Sequence, residues 1–187
     1  MPDNRTLIAY GTRMGATAEA ASEIAEVLRD NYGFEVDVVN LKENPSPNLE
    51  RYRNVIVGSD VAYGKWVKAA IRFLENSFEG KKVAIFVSSI MAGDPKSYDE
   101  ASKRFVKDVL AKYPHIEPVA AEAFGGRIRF LGINFRDNRD MEKIRSWADG
   151  VGKKFSEPSP LTREELKELE RELGIDVDKR PLRLSIE

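Results

Sequence analysis

The sequence predicts a three-layer α/β fold: an open parallel sheet of five strands with helices on both faces, followed by a C-terminal helix-plus-strand tail. Three observations point there. Short apolar runs alternate with helical patterns along residues 1–155. Two of the runs, 55–59 and 83–88, are continuously apolar, as strands covered on both faces must be. Between the first strand and the first helix lies a turn rich in hydroxyl and glycine residues, Tyr10 through Thr17. It falls on the edge where open α/β sheets bind ligands.

The elements follow in order. Residues 6–10 form the first strand, and 16–31 a helix whose apolar stripe is Ala21, Ile24, Ala25 and Leu28. Gly33 stands where a helix end favours a left-handed residue. Residues 34–39 alternate as a strand near the sheet edge, and 55–59 are the third strand. Residues 65–78 read as a helix, 83–88 as the fourth strand, and 97–112 as a helix carrying Ala101, Phe105, Val109 and Leu110, closed by Pro114. The fifth strand, 119–124, ends at Gly125-Gly126. Met141, Ile144, Ala148, Val151 and Phe155 mark a last helix, with Asn138 as its expected N-cap. The ligand site is expected in the turns after strands one, three and four, at residues 11–17, 59–66 and 88–94.

Residues 156–161 read as a linker and 162–187 as a separate tail. Thr162 and Glu165 make a capping box, Leu161 and Leu166 a hydrophobic staple. Leu166, Leu169 and Leu173 form one apolar seam ending at Gly174. After Pro181, the alternation of Leu182, Leu184 and Ile186 predicts a short strand. Such a tail either clasps its own domain or serves as an arm for a partner or for self-association.

Composition narrows the chemistry. In 187 residues, 42% hydrophobic and 33% charged, the net charge is -1, which gives no footing for nucleic acid. Cysteine is absent, which excludes disulfides, thiolate catalysis and iron–sulfur ligation. His115 is the one histidine, so neither a histidine metal site nor a Ser-His-Asp triad is expected. His115 itself reads as a surface loop residue. No apolar stretch reaches the roughly 20 residues of a membrane span, and the N-terminus lacks a signal-peptide core. The expected location is the cytoplasm.

The turn at 10–17 is built to hold phosphate: helix N–H groups and the helix dipole favour an anion there. Thr12 and Thr17 add hydroxyl donors, and Gly15 lets the backbone approach closely. A Walker loop is excluded because no lysine follows Gly15. A dinucleotide fingerprint is excluded by the spacing of the glycines and by Asn40 at the end of strand two. A phospho-receiver site is excluded because Gly11 and Thr12 stand where acidic residues would have to accompany Asp60.

With those alternatives removed, Thr12-Arg13-Met14-Gly15-Ala16-Thr17 resembles the phosphate loop of the flavodoxin family. With Arg13 in the loop and Tyr63-Gly64 after strand three, it is similar to the flavodoxin-type menaquinone-dependent protoporphyrinogen dehydrogenases. The resemblance covers about residues 5–155 and not the tail. It implies the strand order 2-1-3-4-5 and non-covalent FMN. Thr12, Gly15, Ala16 and Thr17 would surround the phosphate, with Met14 in the same loop and Arg13 adding a charge-assisted bond. Tyr63 is the expected stacking partner of the isoalloxazine and Trp66 the second. Asp60, Val61, Ala62 and Gly64 complete that wall. Ser88, Ser89, Ile90, Met91, Ala92 and Gly93 form the other. Asp60 and Asp94 near the rim would disfavour an anionic reduced flavin. Gly58 or Gly64 would be the peptide that reorients on reduction.

Residues Arg127, Arg129, Phe130, Phe135 and Arg136 form a basic and aromatic patch in which Arg127 and Arg129 suit an anionic substrate. The dehydrogenases of the resemblance carry a longer basic and apolar insertion here. The short version in this chain, interrupted by Gly132 and Asp137, argues against membrane quinone reduction. No side chain stands out as acid, base or nucleophile, so the expected catalysis is centred on the cofactor. The leading expectation is an FMN oxidoreductase acting on a small molecule such as a porphyrinogen or quinone. A soluble electron carrier serving redox proteins is the second, and a flavin-free interaction module the third.

Overall fold

The computed structural model describes residues 4–130, 133–158, 167–168 and 171–173. The chain divides into two compact units, Met1–Glu157 and Pro158–Glu187. In the second, the described residues 167–168 and 171–173 are helical. The expected capping box, staple and terminal strand lie outside the described residues.

The first unit is built on five parallel strands: β1 (Arg5–Gly11), β2 (Glu35–Asn40), β3 (Asn54–Ala62), β5 (Lys82–Ser89) and β6 (Ala120–Gly125). Their order is β2-β1-β3-β5-β6, which is the expected 2-1-3-4-5 arrangement. The short β4 (Lys65–Trp66) folds back on the end of β3, and β7 (Arg127–Phe130) pairs with β8 (Ile133–Asp137) in a separate two-stranded hairpin. Helices α1 (Ala16–Tyr32) and α5 (Met141–Ser156) cover one face. The other is covered by α2 (Lys68–Phe73) and by the run α3 (Tyr98–Ser102), a π-helical turn (Lys103–Lys107) and α4 (Asp108–Leu110).

The two apolar layers follow the pleat of the strands. Leu7, Ala9, Val55, Val57, Ile85 and Val87 face Phe73, Leu74 and Phe105. Ile8, Ile56, Ala84 and Phe86 face Ile24, Leu28, Ile144 and Phe155. Alternate residues of one strand therefore feed opposite layers. Helix α1 ends as its sequence predicts, with Gly33 at φ 65 and its N–H bonded to the carbonyls of Leu28 and Arg29.

Two expectations need correction. The helix expected over 65–78 is only Lys68–Phe73, because Lys65 and Trp66 pair antiparallel with Ala62 and Val61 instead. Helix α5 is capped by Asp140, whose carboxylate accepts the Lys143 N–H, and not by Asn138. Asn138 instead donates its side-chain amide to the Ile90 carbonyl at 3.1 Å, tying the segment before α5 to the end of β5. The basic and aromatic patch around Arg127 is a β-hairpin, β7 paired antiparallel with β8. Among the described residues no helix is long and apolar enough to cross a membrane.

Gly58 has a packing role that its position in β3 explains. It lies directly opposite Phe86 in β5, and a Cβ there would come within 2.3 Å of the Phe86 ring. That ring is fully buried, with Phe124 and Trp147 at 5.8 and 6.1 Å. Gly58→Ala is expected to lower unfolding stability by about 1–3 kcal/mol through overpacking, read as a lower urea midpoint at unchanged slope.

Candidate functional site

The loop joining β1 to α1 is held by its own side chains. The Thr12 hydroxyl accepts the Gly15 N–H at 3.0 Å, and Gly15 takes φ 86 at the N-cap position, a conformation that a Cβ would strain. No side chain caps α1, so its first-turn N–H groups lack the partner such ends usually have. Thr17 is completely buried in that first turn, and its hydroxyl has no hydrogen-bond partner among the described residues. A buried hydroxyl left unsatisfied costs about 1–3 kcal/mol.

Beside this loop opens a cleft of about 380 Å³, a size common for small-molecule sites. Its walls are mainly apolar: Val61 and Ala62 on one side, Ile90 and Met91 on the other, with Phe105 and Ile128 closing it. The polar groups along it are Asp60, Ser88, Ser89 and Arg127. The Ser88 hydroxyl is a second buried group with no partner among the described residues.

The 60–66 segment forms the outer wall as a hairpin. Val61 pairs with Trp66 and Ala62 with Lys65. Between them Tyr63 and Gly64 both have positive φ, at 52 and 72. Two such residues match the twist of a tight antiparallel turn. Tyr63, held in that unusual conformation, is fully exposed at the rim of the cleft. Trp66 is not in the cleft: it is 5% exposed, packs in the core and donates its indole N–H to the Phe105 carbonyl at 2.8 Å.

Arg13 reaches from its loop to the 60–66 hairpin. Its guanidinium donates to the carbonyls of Asp60, Lys65 and Trp66 at 3.3, 3.3 and 3.0 Å. Its backbone N–H is taken by the Asp60 carboxylate at 3.1 Å. The cation that does lie on the loop is Arg127, which donates to the Met14 carbonyl at 3.4 Å and to Glu19 at 2.6 Å. Its side chain is 8% exposed and its Nε has no partner among the described residues. Arg139 pairs with the same Glu19 and with Asp137, fixing the β7–β8 hairpin to α1.

Of the residues singled out from sequence, Met14, Ala16, Asp60, Val61, Ala62, Tyr63, Gly64, Ser88, Ser89, Ile90 and Met91 come together along the cleft. Thr12, Gly15 and Thr17 form the adjoining loop. Ala92 and Gly93 line a neighbouring hollow with Tyr98 and Lys143. Asp94 pairs with Arg136 at 3.9 Å, His115 sits in a loop beside the Leu74 carbonyl, and the Arg129 side chain lies outside the described residues. Phe105, Gly126 and Ile128 complete the cleft without having been expected there. Phe105 belongs to the π-helical turn, a distortion that periodicity does not reveal. The signal for the other two was the alternation of Ile128 and Phe130, repeated at Ile133 and Phe135 around Gly132.

A family model described as a flavodoxin domain matches residues 7–154. The protoporphyrinogen IX dehydrogenase (quinone) of Escherichia coli K12 is 24% identical over 149 residues, spanning 78% of this chain and 81% of that protein. Oxidised flavodoxin 2 from Bacillus cereus superposes with a TM-score of 0.57 at 23% identity, over 81% of this chain and 97% of that one. Oxidised flavodoxin 1 from the same organism gives 0.54 at 19%, over 81% and 96%. At these identities the structural likeness is one of fold.

Asp60 makes the site sensitive to pH. Burial raises its pKa above 3.8, while the charge and hydrogen bonds of Arg13 pull it back down. A carboxyl with a raised folded-state pKa stabilises the fold most below its unfolded value and loses that contribution as pH rises through the folded one. Asp60→Asn is therefore expected to flatten the decline in stability just above pH 3.8. Urea midpoints of both proteins across that window check this; superimposable profiles would contradict it.

Proposed function

The chain belongs to the flavodoxin domain family, and from that premise we propose that it is an FMN-dependent oxidoreductase of the porphyrinogen and quinone type, acting in the cytoplasm. Residues 1–155 would be the FMN-binding domain, 156–161 the linker, and 162–187 a tail. The observation that carries the cofactor is the fully buried, unpartnered Thr17 hydroxyl in the first turn of an uncapped helix, beside an apolar cleft. Those groups fit a phosphate monoester joined to a flat aromatic ring system.

Bound FMN would supply the electron or hydride transfer, so the protein's own part is binding, orientation and local electrostatics. Thr17, Thr12 and the first-turn N–H groups hold the phosphate. Arg127 adds its charge from the hairpin side. Tyr63 covers the ring from the rim, while Ile90 and Met91 form the inner wall. Asp60 places a negative charge beside the ring, opposing accumulation of charge there.

The substrate class rests on two supports. One is the likeness to a porphyrinogen dehydrogenase over most of both chains. The other is the β7–β8 hairpin, where exposed Ile128 at the cleft stands opposite Arg136, so an apolar molecule with carboxylates meets both kinds of group.

Purified protein is expected to be yellow or to take up FMN on titration. Anaerobically, protoporphyrinogen should reduce the bound flavin and a quinone should reoxidise it. A colourless protein that does not bind FMN would sink the proposal, and reoxidation by redox proteins alone would make the chain a carrier. Thr17→Val should weaken FMN at least about tenfold, as loss of a hydrogen bond to a charged group does, with riboflavin much less affected. Equal losses for both ligands would move the phosphate elsewhere.

A further inference from the structure

The Arg13 guanidinium does not stay within its own loop. An arginine in a phosphate loop would be expected to turn toward the anion, yet its guanidinium reaches across to the next loop. There it bridges both strands of the β3–β4 hairpin, through the Asp60 carbonyl on one and the Lys65 and Trp66 carbonyls on the other. The Asp60 carboxylate returns the contact, accepting the Arg13 backbone N–H at 3.1 Å and lying 3.6 Å from Nη1. The hairpin it grips has two residue pairs, and a two-stranded ribbon that short has little stability of its own. Its turn carries the two positive-φ residues and the exposed Tyr63 at the cleft rim.

We infer that Arg13 is a positioning residue that couples the phosphate loop to the Tyr63–Gly64 turn, so that an anion held in the loop tightens the wall of the cleft. The inference rests on the phosphate site proposed above. Arg13 lies between Thr12 and Gly15, whose hydrogen bond sets the loop conformation, so any adjustment of the loop around an anion moves the backbone from which the guanidinium is hung. A planar fork reaching three carbonyls transmits that adjustment to both strands at once. Lysine, a point charge on a flexible stem, would keep the attraction to Asp60 and lose the fork.

Amide hydrogen exchange on the full chain tests this without relying on turnover. In the chain without added ligand, Arg13→Ala should speed exchange across residues 61–67 about tenfold, the factor that roughly 1.4 kcal/mol of local opening represents. In the wild-type chain, inorganic phosphate should slow exchange at both 12–17 and 61–67. In Arg13→Lys it should protect 12–17 and leave 61–67 as they were. Unchanged exchange at 61–67 in Arg13→Ala would overturn the clamp. Phosphate protection of 61–67 persisting in Arg13→Lys would overturn the coupling. Failure of phosphate to protect 12–17 in the wild-type chain would remove the phosphate site itself, and the coupling with it.

Discussion

A sheet buried on both faces is the constraint from which the rest of this molecule follows. Strand β5 is buried along its whole length and β3 over its first six residues, so neither offers a side chain to solvent until it reaches its carboxyl end. Backbone polar groups are satisfied laterally, strand to strand, and the side chains fill the two apolar layers. Chemistry is thereby confined to the edge where the strands give way to loops. Among the described residues, the Thr17 and Ser88 hydroxyls near that edge have no hydrogen-bond partner, and neither does the Asn54 Oδ1 at the opposite end of β3.

Charge around the cleft is arranged in pairs. Arg13 is balanced by Asp60 and Arg127 by Glu19. Each arginine also bonds to backbone carbonyls, which distributes its charge over fixed dipoles. Partly buried cations held this way have their charge offset within the protein. The cost is that each pair resists removal of one partner more than removal of both. Asp60 shows the tension most clearly, since burial favours its neutral form and Arg13 favours its charged one.

Much of the architecture could be read from residue pattern because burial on two faces leaves unmistakable apolar runs. Strand order and the loop at 12–17 followed from those runs and from the phosphate-loop resemblance. What escaped was set by contacts between distant segments. Residues 65–66 looked helical because nothing local marks Tyr63 as willing to adopt positive φ; the hairpin exists because β3 continues past the sheet and finds a partner. Arg13 looked like an anion ligand because it stands in a loop that resembles a phosphate loop, whereas its hydrogen-bond partners are about fifty residues away. Phe105 entered the cleft through a π-helical turn, which shifts the register of a helix without altering its composition. Asn138 and Asp140 are both good caps, and the bond from Asn138 to Ile90 decided between them.

The two apolar layers share no buried residue, so order passes between them only through the strands. Each layer also contains one of the chain's two tryptophans: Trp66 lies in the layer under the cleft, and Trp147 packs edge-on against Phe86 and Phe124 in the other. The molecule therefore carries an intrinsic fluorophore on each side of its sheet. If the strands bind the layers into one cooperative unit, the emission of both changes together on melting. If the α1–α5 layer can loosen while the cleft stays formed, the two signals separate, and substituting either indole would assign each transition to its side.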